Sequence, residues 1–327
     1  MSRCLHAPRS APRYLSRQVP DDRPVHFYTH PACLSHDTGP AHAERSERLV
    51  AVVEALREAF PAATWHAAPR ASRGQLQRVH VDALLAQVLE THPDVRIQLD
   101  ADTVLSPASA EAALRAAGAA IAATDAVLQG TARRAFCAVR PPGHHATADT
   151  AMGFCLFNNI AVAAAHARDA HGLERIAIAD FDVHHGNGTQ AIFEAEPRVL
   201  FLSSHQLPLY PDSGFVEERG AGNIHNAPLP PGAGGTQFRA AWQTRLLPAI
   251  DAFRPQLLLI SAGFDAHWRD PLAQLQLEAD DYAWLTRELV VLAERHADGR
   301  VVSMLEGGYD LEALRESSVA HVSALAS

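Results

Sequence analysis

Two short stretches of the chain gather the residue types that metal-assisted hydrolysis uses: Asp180-Phe-Asp182-Val-His184-His185-Gly-Asn187-Gly and Arg140-Pro-Pro-Gly-His144-His145. Asp182 and His184 are separated by one residue, so in an extended segment their side chains point the same way and can share one ion. Asp265, in Ser261-Ala-Gly-Phe-Asp265, completes an Asp-His-Asp set. Three such ligands leave a fourth position for water and substrate, as catalytic zinc requires, and the same set also accepts Fe2+ or Co2+. A single loop histidine is ordinarily a solvated one, and the chain has 19. The case therefore rests on convergence.

Hydrolysis also needs a base for the water and a donor for the developing oxyanion. The tandem His144-His145 offers imidazoles whose ordinary pKa lies near neutrality. Asp180 and Asn187 flank the metal segment and can accept the other ring N–H of each, the carboxylate making its histidine the more basic. Tyr309 follows Gly307-Gly308, where the backbone can turn tightly and bring a phenol into the site as a hydrogen-bond donor.

These residues meet only if the elements before them are neighbouring parallel strands. Short apolar runs at 25–28, 135–139, 175–179, 198–202, 256–260 and 300–305 read as strands. Helical patterns at 43–60, 75–90, 109–129, 156–171, 189–195, 237–252, 280–296 and 311–324 alternate with them. The pattern predicts an α/β fold, a mostly parallel central sheet flanked by helices, with the active site at the carboxyl ends of the strands. The Pro/Gly-rich pieces at 140–143 and 226–235 read as loops, so residues 25–327 form one catalytic domain. Residues 1–24 carry several Arg and Pro and no apolar core of a leader, and read as a disordered or loosely attached extension.

The 327 residues carry a net charge of −9, which argues against direct nucleic-acid or anionic-membrane binding and suits a cationic substrate. No apolar run reaches the length of a membrane helix. Cys4, Cys33, Cys137 and Cys155 form no C-x-x-C pair, so neither a disulfide framework nor a cysteine-zinc knuckle is expected, and a cytoplasmic location is.

The four motifs Arg140-Pro-Pro-Gly-His-His, Asp180-Phe-Asp-Val-His-His-Gly-Asn-Gly, Ala262-Gly-Phe-Asp265 and Glu306-Gly-Gly-Tyr309 resemble the histone deacetylase family, with its acetylpolyamine and acetoin-utilisation relatives. The opening His36-Asp-Thr-Gly-Pro with Glu44-Arg-Ser-Glu-Arg resembles the class II branch and the bacterial histone deacetylase-like amidohydrolases. The resemblance runs from about residue 25 onward. It implies an arginase-like fold with Asp182, His184 and Asp265 on Zn2+, His145 as general base and acid, and His144, paired with Asp180, as its electrostatic partner. It further implies that Tyr309 polarises the acyl carbonyl and that Gly153, Phe154, Tyr210 and Leu272 line the substrate tunnel, with Met152 and Leu156 at its foot. A structural K+ or Na+ would sit behind the zinc, on Asp180, Asp182, His184, Ser203 and Ser204. Asn187 stands where many class I members carry aspartate, which follows the class II pattern. The loop aspartate that grips substrate backbone in some members maps to Asp102, with an exposed loop acid as the plainer reading.

Four functions compete. The first is hydrolysis of acyl-lysine in proteins or peptides. The second keeps the chemistry on a small acylated amine such as an acetylpolyamine; Leu272, after Asp270-Pro271 where the polyamine-selective relative has glutamate, disfavours it. A two-manganese ureohydrolase needs more bridging carboxylates than Ala266-His267 supplies after Asp265. A non-catalytic acyl-lysine binder would need none of His144, His145 and Tyr309. The sequence does not fix the oligomeric state; the family's relatives and the long loop at 30–42 suggest a homo-dimer or homo-tetramer as the expectation.

Overall fold

The structure is a computed structural model that describes residues 25–327, so the expectation for residues 1–24 lies outside the described part. Ten strands occur in it: β1 (Val25–Thr29), β2 (Thr64–Ala67), β3 (Ile97–Gln98), β4 (Val104–Leu105), β5 (Arg134–Cys137), β6 (Ile176–Asp180), β7 (Val199–Gln206), β8 (Ile224–Leu229), β9 (Leu257–Ala262) and β10 (Val301–Leu305). Eight form one sheet in the order β2-β1-β5-β10-β9-β6-β7-β8, and every pairing in it is parallel. β3 and β4 make a small antiparallel pair apart from it.

The helices are α1 (Ser46–Ala59), α2 (Arg73–Leu76), α3 (Asp82–Leu89), α4 (Ser109–Leu128), α5 (Asn159–His171), α6 (Asn187–Phe193), α7 (Gly235–Ala241), α8 (Leu247–Phe253), α9 (Ala279–His296) and α10 (Leu311–Ala326). α4 packs on α5 over one side of the sheet, while α1, α10 and α9 pack in series over the other. With both faces covered, the central strands are continuous apolar runs: β9 is Leu-Leu-Leu-Ile-Ser-Ala and is buried throughout. No helix among the described residues is long and apolar enough to cross a membrane.

The sheet order is what makes a site. The five strands whose downstream residues carry the chemistry, β5, β10, β9, β6 and β7, are consecutive neighbours at its centre. β9 and β10 come late in the chain and insert between β5 and β6, which places the Asp265, Glu306-to-Tyr309, Asp182/His184 and His144/His145 segments side by side.

Several elements depart from the sequence pattern. The helix expected at 75–90 is two, α2 and α3, because His80 leaves the helical path: its Nε2 accepts the Asn158 N–H at 2.9 Å, and the Val81 N–H bonds the Ala148 carbonyl at 2.9 Å. The helix expected at 237–252 contains a π-turn, Trp242–Leu246, between α7 and α8. Pro248 lacks the N–H that an unbroken helix needs there. Part of the loop expected at 226–235 is β8. Pro228 masks it in the sequence, yet β8 is an edge strand, where a missing N–H is tolerated. β7 runs on to Gln206, so Ser203 and Ser204 lie within the strand rather than after it.

Candidate active site

Asp182, His184 and Asp265 meet at the adjoining ends of β6 and β9, all three buried, with ligand atoms within 4.8 Å of one another. His184 Nδ1 lies 3.1 Å from Asp182 Oδ1 and 3.2 Å from Asp265 Oδ2. The remaining oxygens are held by backbone: the Gly307 N–H donates to Asp182 Oδ2 at 2.8 Å and the Val183 N–H to Asp265 Oδ1 at 2.8 Å. Asp265 Oδ2 is buried with no hydrogen-bond partner. An orphaned carboxylate oxygen beside an imidazole nitrogen and a second carboxylate is the donor set of a divalent ion such as zinc. Two glycines let the carboxylates approach the main chain. A Cβ on Gly263 would lie 2.0 Å from Asp182 Oδ2, and one on Gly307 2.0 Å from Asp265 Oδ2.

A second His/Asp group among the described residues, Asp125, His166 and His171, has a different character. Arg78 donates to His166 Nδ1 at 2.6 Å, so His166 Nε2 carries the proton and donates to Asp125 at 2.7 Å. That group is a hydrogen-bond chain between α4 and α5, with the His166 lone pair already used and His171 Nε2 also bonded to Asp125 at 2.7 Å.

Beside the Asp-His-Asp set stands the tandem pair. His144 Nδ1 is 3.0 Å from Asp180 Oδ2 and His145 Nδ1 is 2.8 Å from Asn187 Oδ1, with the two ring centroids 4.0 Å apart. The neutral amide and the carboxylate split the pair. Burial alone would lower the pKa of His144, but Asp182 and Asp180 outweigh it and favour the imidazolium. Burial, then the charge of His144, holds His145 well below its ordinary value, so it stays an unprotonated acceptor. Asn187 opens α6, which fixes its orientation.

Tyr309 follows β10, buried, with its ring 5.9 Å from that of Phe154 and the Arg48 guanidinium 4.8 Å above it. Burial keeps the phenol protonated, against the opposing pull of Arg48. Tyr210 lies edge-on to His145 at 5.2 Å and to His184 at 6.3 Å. Burial and then the charge of Asp102 raise its pKa. Phe154 and Gly153 both have positive φ, 67° and 56°, and a Cβ on Gly153 would lie 2.5 Å from the His145 ring. Glycine there is thus required by both space and backbone. Leu272 is partly buried, its N–H donating to Asp270 Oδ1 at 3.0 Å, while Asp270 Oδ2 accepts the Tyr309 N–H at 2.7 Å. Met152 sits against Asn187 at 3.4 Å, whereas Leu156 is fully buried in the core.

For the monovalent-ion set, Ser203 is in register with Asp180 on the neighbouring strand. Ser204 points to the other face, where its Oγ accepts from Trp242 Nε1 at 3.0 Å. Only the main chain of Ser204 is thus available to an ion beside Asp180.

Three residues without an assigned role in the sequence reading hold this arrangement. Glu306 Oε2 accepts the N–H of Gly143 at 2.6 Å and of His144 at 3.2 Å, pinning the tandem-histidine loop to the end of β10. Arg48 donates to the carbonyls of Glu306, at 2.6 Å, and Gly308, and so fixes the turn that carries Tyr309. Glu44 pairs with Arg48 at 3.0 Å and is gripped on both oxygens by Arg140. Buried charge is the signal that finds them: an Arg or Glu inside an apolar helix face or motif needs a partner.

Comparison with known proteins agrees with this geometry. The histone deacetylase domain model matches residues 42–325. The histone deacetylase-like amidohydrolase of Pseudomonas aeruginosa is 43% identical over 284 residues, 85% of this chain and 74% of that protein. The human polyamine deacetylase HDAC10 is 40% identical over 302 residues, 87% of this chain and 44% of that one. The crystal structure of the HDA15 HD domain superposes with a TM-score of 0.88 at 35% identity, over 92% of this chain and 88% of that chain. With the domain model matching residues 42–325 and relatives at 40% identity or more over most of its length, the chain belongs to the histone deacetylase family.

Proposed function

We propose that the protein is a zinc-dependent deacylase of acyl-lysine side chains in proteins or peptides. The observation that carries the reading is the buried Asp182-His184-Asp265 set, with Asp265 Oδ2 unpartnered and the His145 ring 5.8 Å from that of His184. Bound there by those three side chains, zinc supplies a Lewis acid that polarises the acyl carbonyl and acidifies water.

The chain's own groups do the rest. Phe154 and Tyr210 wall an apolar slot that takes the aliphatic stem of the side chain and excludes water. Neutral His145, held in its tautomer by Asn187, accepts the proton of the attacking water at Nε2. Tyr309 donates its O–H to the carbonyl oxygen as charge develops on it. His144, kept cationic by Asp180, lowers the energy of that negative charge. The proton on His145 then passes to the amine nitrogen as the C–N bond breaks, releasing the free amine and the carboxylic acid, which keeps the water's second proton until it ionises in solvent.

Acetylpolyamines are the second reading, favoured by the acids Asp100 and Asp102 near Tyr210 and by the similarity to a polyamine deacetylase. The deciding experiment is turnover of an acetyl-lysine peptide beside acetylputrescine and acetylspermidine, each untreated, chelated, and chelated with zinc returned. Chelator-sensitive turnover of the peptide supports the proposal. Turnover of polyamines alone moves the substrate to small amines, and turnover of none overturns the deacylase reading.

A further inference from the structure

His42 joins the rigid interior to the mouth of the slot. The Glu44 N–H donates to His42 Nδ1 at 3.1 Å, which leaves the ring proton on Nε2, and Nε2 donates to the Asp102 carbonyl at 3.0 Å. The same ring meets Phe154 edge-on, with centroids 4.8 Å apart and planes at 72°. Its seat is anchored by packing and ion pairs: Glu44 is fully buried between Arg48 and Arg140.

What His42 touches is the aromatic of a tight turn, closed around Gly153 and Phe154 by reciprocal backbone bonds, Met152 N–H to the Cys155 carbonyl at 3.1 Å and Cys155 N–H to the Met152 carbonyl at 3.0 Å. The Phe154 backbone is left-handed at φ 67°, a conformation that persists in a bulky residue only where its surroundings over-determine it. The Met152–Cys155 turn does so, and on the mouth side it meets the His42 ring and, through the bond from the Phe154 N–H to Thr103 Oγ1 at 3.1 Å, the Asp102 loop. Residues 100–103 form a small closed loop in which Asp100 Oδ1 accepts the N–H of Asp102 at 2.9 Å and of Thr103 at 2.6 Å. The bond from His42 ties that loop to the core. Among the described contacts of His42, none is to a metal-set carboxylate, His144, His145 or Tyr309.

We infer that His42 is a positioning residue for substrate entry, one that holds the wall aromatic Phe154 and the Asp102 loop at a fixed separation so that an extended acyl-amine meets a preformed slot. The inference rests on the deacylase reading of the site. Because the ring stands clear of the reacting atoms, its loss falls on binding and leaves the chemical step alone.

The test uses the full chain with His42→Ala and His42→Gln, measured for turnover of an acetyl-lysine peptide. Affinity for the same peptide is measured in the Tyr309→Phe background, where no product forms. His42→Ala is expected to raise both KM and Kd about tenfold, equal to about 1.4 kcal/mol, with kcat within about twofold of the parent. His42→Gln, whose amide N–H can reach the Asp102 carbonyl, is expected to recover most of the lost affinity. Unchanged KM and Kd in His42→Ala overturn the inference, as does a fall in kcat at constant KM or a glutamine variant no better than alanine. A parent enzyme inactive on every acylated amine overturns the deacylase reading instead. The Kd comparison then still reads whether His42 shapes the slot.

Discussion

Glu44→Gln tests whether the buried charge cluster behind the site is as consequential as its geometry implies. Glu44, Arg48 and Arg140 are each 0% exposed. The Glu44 carboxylate accepts from Arg140 on both oxygens and from Arg48 on one. An amide of the same shape keeps one acceptor and turns a donor toward a guanidinium, leaving two buried cations without a counter-charge. Removing one partner of a buried ion pair costs about 3–5 kcal/mol. The lower end applies, because Arg140 keeps the Cys33 and His36 carbonyls and Arg48 keeps those of Glu306 and Gly308. A second route gives a similar figure. Burial alone would raise the Glu44 pKa, but Arg140 and then Arg48 outweigh it and bring it from 4.5 down to about 2. Linkage converts that difference to about 3 kcal/mol of stability at neutral pH.

The sign follows from the direction. A carboxyl whose folded pKa is depressed contributes fully above its unfolded value, and loses the contribution as pH falls from about 4.5 through about 2. Thermal and urea unfolding of parent and Glu44→Gln, followed by circular dichroism from pH 7.5 down to 3.5, reads both quantities. The expected result is a variant less stable by about 3 kcal/mol at pH 7.5, with a midpoint lower by about 6 °C or more. The gap should narrow below pH 4.5. A difference under about 1 kcal/mol at neutral pH, or a gap that is flat with pH, refutes the reasoning.

Tyr309→Phe removes one oxyanion donor and keeps the ring between Phe154 and Arg48. It is expected to lower kcat about 10²- to 10³-fold, with bound zinc by atomic absorption and the melting temperature unchanged. Asp182→Ala is expected to lose both zinc and turnover, so the two variants separate catalysis from metal holding. Gly307→Ala places a methyl group 2.0 Å from Asp265 Oδ2 and is expected to weaken zinc affinity by at least about tenfold in a chelator competition; parent-like affinity would mean that the carboxylate does not depend on that close approach.

Much of the site was legible because a parallel sheet imposes a rule: whatever follows a strand lands on one rim. The strand assignments put Asp182, His184, Asp265, His144, His145 and Tyr309 on that rim, and those assignments rest on short apolar runs rich in branched residues such as Leu257–Ala262. The order of strands was not legible. Nothing local tells β9 and β10 to insert between β5 and β6, and that insertion is what makes Asp265 adjacent to Asp182. The misreadings came from tertiary bonds overriding local pattern, as when His80 reaches the Asn158 amide and breaks a helix, or from residues whose meaning depends on position in the sheet, as with Pro228 at an edge. The alternation of β7 likewise decides that Ser203 and Ser204 cannot both turn toward Asp180, a distinction that sequence adjacency hides. The supporting shell of Glu44, Arg48, Arg140, Glu306 and His42 was the least visible part. Its members span 264 positions, from His42 to Glu306, and apart from the i,i+4 pair Glu44–Arg48 they meet only once the fold is closed, so their function is carried by pairing in space.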